Sequence, residues 1–327
     1  MTPLTVTFHD VNDAYSELME NKGRYAEWEN TRNGMALVFQ APVIITHAQP
    51  HRRVLFDESR DANPFFHYME ALWMLAGSEN VDFPSKFASN IANYSDDGVT
   101  LNGAYGYRWR YHFEQDQLEE VIEMLQDDPK TRRAVLTMWD PSFDLAADSK
   151  DLPCNTHIYF RLVRNHLHMT VCNRSNDLVW GALGANMVHM SILQEYVAGA
   201  IDCNVGDYHQ FTNNLHVYEA WETRYSRYPN RWYYEHPHFN RWKFSPETLS
   251  MVEVQQFVDE GLEGDRTYRC RIIRDNAEPM LLAWSNYKTG DFDLALHFAD
   301  KIHDDDWRTA CVLWLSRRKE KGNGSER

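Results

Sequence analysis

Residues 156–175, THIYFRLVRNHLHMTVCNRS, read as two strands folded back on one another. Apolar side chains alternate through THIYFRLV (156–163), Arg164-Asn165 supplies a turn, and HLHMTVCNRS (166–175) resumes the alternation. A period of two belongs to a strand with one face turned to a core. Upstream, AVLTMWD (134–140) predicts another strand; downstream, NMVHMSILQEYVAGAI (186–201) is apolar on nearly every side and predicts a helix packed on the sheet. The middle of the chain is therefore mixed α and β. Further out, FFHYMEALWMLAG (65–77) predicts a buried helix closed by Gly77, and QDQLEEVIEMLQ (115–126) an amphipathic one through Leu118, Val121, Ile122 and Leu125. The segment from Asp291 to Arg318 has helical spacing and is expected as a C-terminal helical extension before a frayed polar tail, KEKGNGSER. Around 222–245, a stretch crowded with aromatics, Arg and Pro is expected as an ordered insertion. With no internal repeat, residues 1–327 are expected to form one domain.

Composition narrows the class. The chain has 43% hydrophobic and 25% charged residues among 327, enough to bury a sizeable core. A formal charge of −15 argues against a protein that coats DNA, which needs cations to displace the counterions of phosphates. The five cysteines include no CxxC pair, so reduced thiols are expected rather than a disulfide framework or a metal centre. The N-terminus lacks the pattern of a signal segment, and no run approaches the ~18 apolar residues of a membrane span. A cytoplasmic protein without membrane partners is the expectation.

Cys154 stands apart from the other cysteines. It follows Pro153 at the end of a polar, acid-containing loop and opens a strand, whereas the others lie in apolar or helical stretches. Cations lower a thiol's pKa and make it nucleophilic, and Arg174 is placed to return beside it on the neighbouring strand; a small buried hydrophobe is the alternative reading. Arg132-Arg133 and Arg174-Ser175 sit at strand boundaries and suit a phosphate, or simply solvent. Glu70 lies inside an apolar helical run, where a carboxylate has to be paired or else protonated.

The blocks RRAVLTMWDP, LPCN, NRSNDLVWG and VGDYHQFTNNLHVY, in that order and at similar spacing, resemble the thymidylate synthases and their nucleotide hydroxymethylase relatives, from about Arg32 to Tyr218. The resemblance implies an α/β (α+β) sandwich-like fold, a mixed β-sheet covered by helices, with sheets packed across a homodimer. It implies Cys154 as the thiolate that adds to carbon 6 of a pyrimidine nucleoside monophosphate, and 5,10-methylenetetrahydrofolate as the one-carbon donor, with no metal. Phosphate would be held by Arg32, Arg174 and Ser175 of one subunit and by Arg132 and Arg133 of the other. Glu70 in MEALW would organise water and protons, Tyr105 in GAYGYRWR would serve removal of the carbon 5 proton, and His216 with Tyr218 would contact the sugar. Asp177 in RSND, with Trp73, would attend the folate. Asn186 matches the asparagine that reads the base edge, and an amide can turn to suit uracil or cytosine.

Several positions depart from a thymidylate synthase. Asn155 follows the nucleophile in place of His, Asn173 precedes Arg174 in place of Gln, and Ile91 and Tyr94 stand where a shielding Trp is usual. No acid accompanies Asn186, although cytosine-preferring members often have one. LWLSRRKEKGNGSER replaces a short apolar closing segment. A site that admits water gives a hydroxymethyl rather than a methyl product, so the expectation is a 5-hydroxymethylase. Asn155 and Asn173 tip the expected base to cytidylate, dCMP or CMP, ahead of dUMP. A thymidylate synthase with another lid and a non-catalytic nucleotide- or RNA-binding protein are the alternatives.

Overall fold

The computed structural model describes residues 2–227, 240–262 and 267–324. Its strands are β1 (Leu4–Phe8), β2 (Ala26–Thr31), β3 (Gly34–Phe39), β4 (Val43–His47), β5 (Val135–Thr137), β6 (Asn155–Val163), β7 (His166–Asn173), β8 (Asn176–Asp177), β9 (Asn204–Thr212) and β10 (Leu215–Tyr218). Six form a mixed sheet in the order β1-β4-β9-β7-β6-β5, and four form a smaller sheet in the order β2-β3-β10-β8. The expected hairpin is β6 and β7. Arg164 and Asn165 both have positive φ, 49° and 61°, the conformation of a tight turn whose twist matches that of paired strands. β7 and β9 run parallel, and the helix Asn186–Ala200 lies between them in sequence.

On one face of the large sheet, Ile158, Phe160, Leu167, Met169, Val171 and Tyr208 are buried in the core, which is completed by the helices Asn186–Ala200 and Pro64–Leu75. The other face carries His157, His168, Thr170 and His209 only half buried, and Tyr159 exposed. Every residue of Pro64–Leu75 except Glu70 is buried, which accounts for its apolar sequence on all sides. Asn63 caps this helix by accepting from the Phe66 N–H, Pro64 occupies its first turn, and Gly77 follows it at φ 73°. The amphipathic helix runs Gln117–Asp127, with Leu118, Val121, Ile122 and Leu125 inward.

Three expectations need correction. The strand read at 134–140 spans only Val135–Thr137. Asp140 instead caps the short helix Pro141–Asp144, and Pro141 has no N–H for a ladder. The reading through 166–175 stops at Asn173, because Asn176–Asp177 pairs with β10 in the other sheet. The span 291–318 is helical as expected, as two helices, Phe292–Ala299 and Asp305–Gly324. Between them the backbone turns aside to bond elsewhere: His303 N to Asp275 O and Asp304 N to Asn276 Oδ1. The last helix continues through Gly324, where fraying was expected, and Arg317 and Arg318 pair with Asp61 ahead of the Pro64 helix.

Of the stretch 222–245, residues 228–239 lie outside the described residues, as do 325–327 of the tail. The far end of that stretch is packed: Trp242 stacks on His303 at 4.4 Å, and Arg241 with Arg53 flanks the buried Glu195. No helix of the described residues is long and apolar enough to cross a membrane.

Candidate active site

Sheet register brings Cys154 and Arg174 together. Asn155 pairs with Asn173 across β6 and β7, so the residues just beyond the pair also meet, and Arg174 N donates to Cys154 O at 2.9 Å. The guanidinium then folds back on the loop: Nε donates to Pro153 O at 3.0 Å, Nη2 to Leu152 O at 3.1 Å, and Nη2 stands 3.8 Å from Cys154 Sγ. Its plane lies over Trp139, 5.7 Å away. The expectation that cations lower this thiol's pKa holds for the direction of their pull and not for the outcome. Burial pushes the thiol up, Asp151 adds to the rise, and Arg174 and Arg32 pull against it without prevailing.

Behind the thiol lies a run of amides. Asn155 Nδ2 donates to Asn186 Oδ1 at 3.4 Å, and Asn186 Nδ2 donates to Asn176 Oδ1 at 3.1 Å. Asn155, Asn176 and Asn186 are all buried, and no carboxylate hydrogen-bonds to this run among the described residues. Asn173 is also buried but turns away, with Nδ2 on Phe211 O at 3.1 Å. A π-helical segment, Leu178–Ala185, kinked at Gly184, delivers Asn186 to the head of its helix.

The Tyr105 phenol accepts from Asn155 N at 3.4 Å, and burial, with Cys154 and Asp151 nearby, pushes it well above its ordinary pKa. The GAYGYRWR sequence allows this approach because a Cβ at Gly106 would stand 1.9 Å from Met74 O; the Tyr105 turn therefore rests directly on the Pro64 helix. Glu70, on that helix, has His189 beside it, with Oε2 2.9 Å from His189 Nε2. One turn on, the buried Trp73 donates Nε1–H to Asn80 O at 2.9 Å.

The smaller sheet carries the second half of the set. His216 sits opposite Asp177 in the β8–β10 pair, and its ring meets that of Tyr218 edge-on at 5.0 Å. Asp177 Oδ1 accepts from the N–H groups of Val179 and Trp180 at 2.7 and 3.1 Å, while burial raises its pKa. Arg32 lies at the exposed tip of the β2–β3 hairpin beside Asn33, whose Nδ2 donates to Tyr218 Oη at 3.2 Å. An open groove of about 700 Å³ is lined by Arg32, Asn33, Tyr94, Ser149, Lys150 and Tyr218. Ser175 is half buried beside Arg174. Arg132 and Arg133 are exposed before β5 and make no side-chain hydrogen bond or ion pair to the rest of this set.

Comparison with known proteins matches this arrangement to one family. The thymidylate synthase family model matches residues 15–269. The chain belongs to the thymidylate synthase family. It is 39% identical over 306 residues to the deoxyuridylate hydroxymethyltransferase of Pseudomonas phage M6, covering 89% of this chain and 87% of that one. It is 42% identical over 188 residues to the protein of the same name in Bacillus phage SP01, covering 54% and 49%. Its fold matches the crystal structure of thymidylate synthase from T4 phage with a TM-score of 0.61 at 21% identity, over 75% of this chain and 90% of that one.

Enzymes of the thymidylate synthase family transfer one-carbon groups, use methylenetetrahydrofolate as co-substrate on nucleoside monophosphates, and are typically dimeric. The donor set here fits such a co-substrate: the Asp177 carboxylate keeps Oδ2 clear of the backbone donors that occupy Oδ1, and a carboxylate suits the N–H edge of a pterin. Two residues beside the candidate site residues were missed by sequence reading. Asp151 accepts from Gly103 N at 2.8 Å and electrostatically faces Cys154 and Tyr105; only its place three residues before Cys154 could have signalled it. His189 follows Asn186 by one helical turn, a spacing that puts both on one side of the helix.

Proposed function

We propose that the protein moves a one-carbon unit from methylenetetrahydrofolate to carbon 5 of a pyrimidine nucleoside monophosphate and releases the 5-hydroxymethyl nucleotide, with deoxyuridylate as substrate. The observation that carries this reading is the buried amide run Asn155–Asn186–Asn176 behind a half-buried thiol flanked by Arg174. Uracil offers a carbonyl and an N–H along the edge to be read, a pattern that a neutral amide matches without a carboxylate. The Asn176 amide nitrogen is buried without a hydrogen-bond partner among the described residues, and the uracil carbonyl would supply an acceptor. The relatives named deoxyuridylate hydroxymethyltransferase support the same base and a hydroxymethyl product.

The roles follow from chemistry. Cys154 adds as thiolate to carbon 6, which makes carbon 5 nucleophilic; Arg174 favours the charged sulfur at the moment it is needed. When bound, the folate supplies the methylene unit. Tyr105 serves the proton at carbon 5, and Glu70 organises the water that adds to the exocyclic methylene. Asn186 reads the base, Asp177 and Trp73 attend the folate, and His216 and Tyr218 meet the sugar. Arg32, Arg174 and Ser175 hold the phosphate together with Arg132 and Arg133 of the other subunit, whose outward placement suits donation across a dimer.

Cytidylate is the second reading. The buried acceptors Asn155 Oδ1 and Asn173 Oδ1 lack partners among the described residues, and the exocyclic amino group of cytosine would give them donors. Incubation with methylenetetrahydrofolate and, separately, dUMP, dCMP and CMP, followed by mass spectrometry of the nucleotides, tests both. A gain of CH2O on dUMP supports the leading reading, the same gain on a cytidylate replaces it with the second, and a gain of CH2 with dihydrofolate release makes the protein a thymidylate synthase.

A further inference from the structure

The Glu70 carboxylate has a neighbour that no part of the reading above employs. His189 projects from the helix Asn186–Ala200 toward the Pro64 helix, its side chain 3% exposed, with Nε2 2.9 Å from Glu70 Oε2. That distance suits a hydrogen bond, yet the alignment does not, and Nε2, Nδ1 and Glu70 Oε2 are all buried without a hydrogen-bond partner among the described residues. Three unsatisfied polar atoms in one place are costly unless a small rotation, a water or a substrate group engages them. We propose that His189 is a positioning residue for the hydroxylation step: it holds Glu70 as the carboxylate that removes a proton from the attacking water. This inference rests on the hydroxymethylase reading.

The argument is one of donors and acceptors. A carboxylate takes a proton only while it is ionised, and in an apolar helix environment it stays ionised only with a donor beside it. Among the described residues His189 is the one group in ion-pair contact with Glu70. With the proton on Nε2, the imidazole donates to Oε2 and leaves the second carboxylate oxygen for water. The remaining titratable or charged groups around the pair do not take this part. His67, one turn before Glu70 on the same helix, is driven well below its ordinary pKa by burial, Arg60 and His189. Arg60 is spent on Val179 O and stacks with Trp180 and Trp221. Asp151, which faces Glu70 electrostatically, is an acid and donates nothing when ionised.

In the step itself, the water oxygen bonds to the methylene carbon on carbon 5. The electrons of the exocyclic double bond pass into the ring as an enolate, and the water proton goes to Glu70. Expulsion of the Cys154 thiolate from carbon 6 then restores the carbon 5–carbon 6 double bond, and Glu70 returns its proton to solvent. His189 remains bonded to Oε2 throughout and fixes which oxygen faces the water, much as an orienting partner fixes a catalytic imidazole elsewhere.

The test compares His189→Leu and His189→Gln with the wild-type enzyme, reading the product mass, kcat across pH and the KM for nucleotide. In His189→Leu, kcat should fall about 100-fold, within the usual range for loss of acid–base assistance. The KM should stay within about threefold, and the acid limb of the kcat profile should move to higher pH as Glu70 loses its donor. His189→Gln keeps an N–H donor and should recover part of the loss. A folded His189→Leu enzyme with wild-type kcat and an unchanged profile overturns the proposal. If neither variant folds, nitrogen-15 NMR of histidine in the wild-type enzyme decides: an Nε2-protonated His189 whose signal shifts in Glu70→Gln supports it, and an unprotonated Nε2 refutes it. Should the wild-type product carry CH2 instead of CH2O, the hydroxymethylase reading fails by that result alone, while the pH profile still reports whether His189 sets the ionisation of Glu70.

Discussion

Replacing Arg108 by Met should destabilise the protein by about 3–5 kcal/mol, the usual cost of breaking a buried ion pair. Arg108 and Asp144 are both fully buried, and the pair is bidentate, with Nη1 and Nη2 2.6 and 2.8 Å from the two carboxylate oxygens. The same guanidinium donates to Met138 O at 2.7 Å and to Asn102 O at 2.8 Å. Without it, Asp144 keeps only the Asp140 N–H as a donor among the described residues, and a charged group is left in the core. Against a typical total stability of about 5–15 kcal/mol, the loss is large. Asp144→Leu should cost a similar amount. The double variant Arg108→Met/Asp144→Leu should cost only about 1–3 kcal/mol, because no charge is stranded and what remains is the unpaired carbonyls. Urea denaturation at one protein concentration measures all three, and the double-mutant cycle gives the coupling. Additive single losses, or a loss under about 1 kcal/mol in Arg108→Met, would refute the reasoning. The effect should reach Cys154 as well: Asn102, held by Arg108, donates Nδ2–H to Asp151 O at 3.0 Å, so the Cys154 thiol in the single variant should be alkylated faster than in wild type.

Other expectations are as definite. Gly106→Ala puts a methyl 1.9 Å from Met74 O, so it should cost about 1–3 kcal/mol by urea denaturation and lower kcat by displacing Tyr105. Mixing Cys154→Ser with Arg132→Ala/Arg133→Ala, each inactive alone, should restore about a quarter of wild-type turnover, since half the dimers are hybrids with one intact site each; no recovery after verified subunit exchange removes the shared site. His47 is fully buried, and burial with His209 nearby lowers its pKa to about 3. It folds neutral while the unfolded chain takes a proton near pH 6.5, so its contribution is present above about 6.5 and is lost as pH falls toward 3, at up to about 1.4 kcal/mol per pH unit. Denaturation curves from pH 7 to 4 should show a shallower slope in His47→Gln than in wild type.

Much of the site was legible in the sequence because its residues flank regular elements. Cys154 precedes β6 and Arg174 follows β7, so once the alternation of 156–175 identifies a hairpin, the register alone brings thiol and guanidinium together. Glu70 announces itself as the one charged residue in an apolar helix, and it is the one residue of that helix not buried. The family resemblance added the assignments that spacing cannot make, such as Asp177, and Arg132 with Arg133. Errors cluster where the chain leaves a regular element. The strand at 134–140 stops early because Asp140 and Pro141 start a helix, and the reading through 166–175 stops at Asn173 because Asn176–Asp177 pairs with β10 in the other sheet.

The sequence by itself determined the mixed α and β class, the hairpin and the buried helix, and it singled out Cys154 among the five cysteines, since each depends on periodicity or on a local motif. Tertiary structure alone decided the balance of forces at the site. Whether Arg174 and Arg32 or burial governs the Cys154 thiol depends on how much water the fold removes, and burial governs. Which partner meets Glu70 depends on how two helices more than a hundred residues apart in the chain are packed, and no local pattern encodes that contact. Desolvation and long-range contact are properties of the packed whole, which is why they become readable only once the chain has folded.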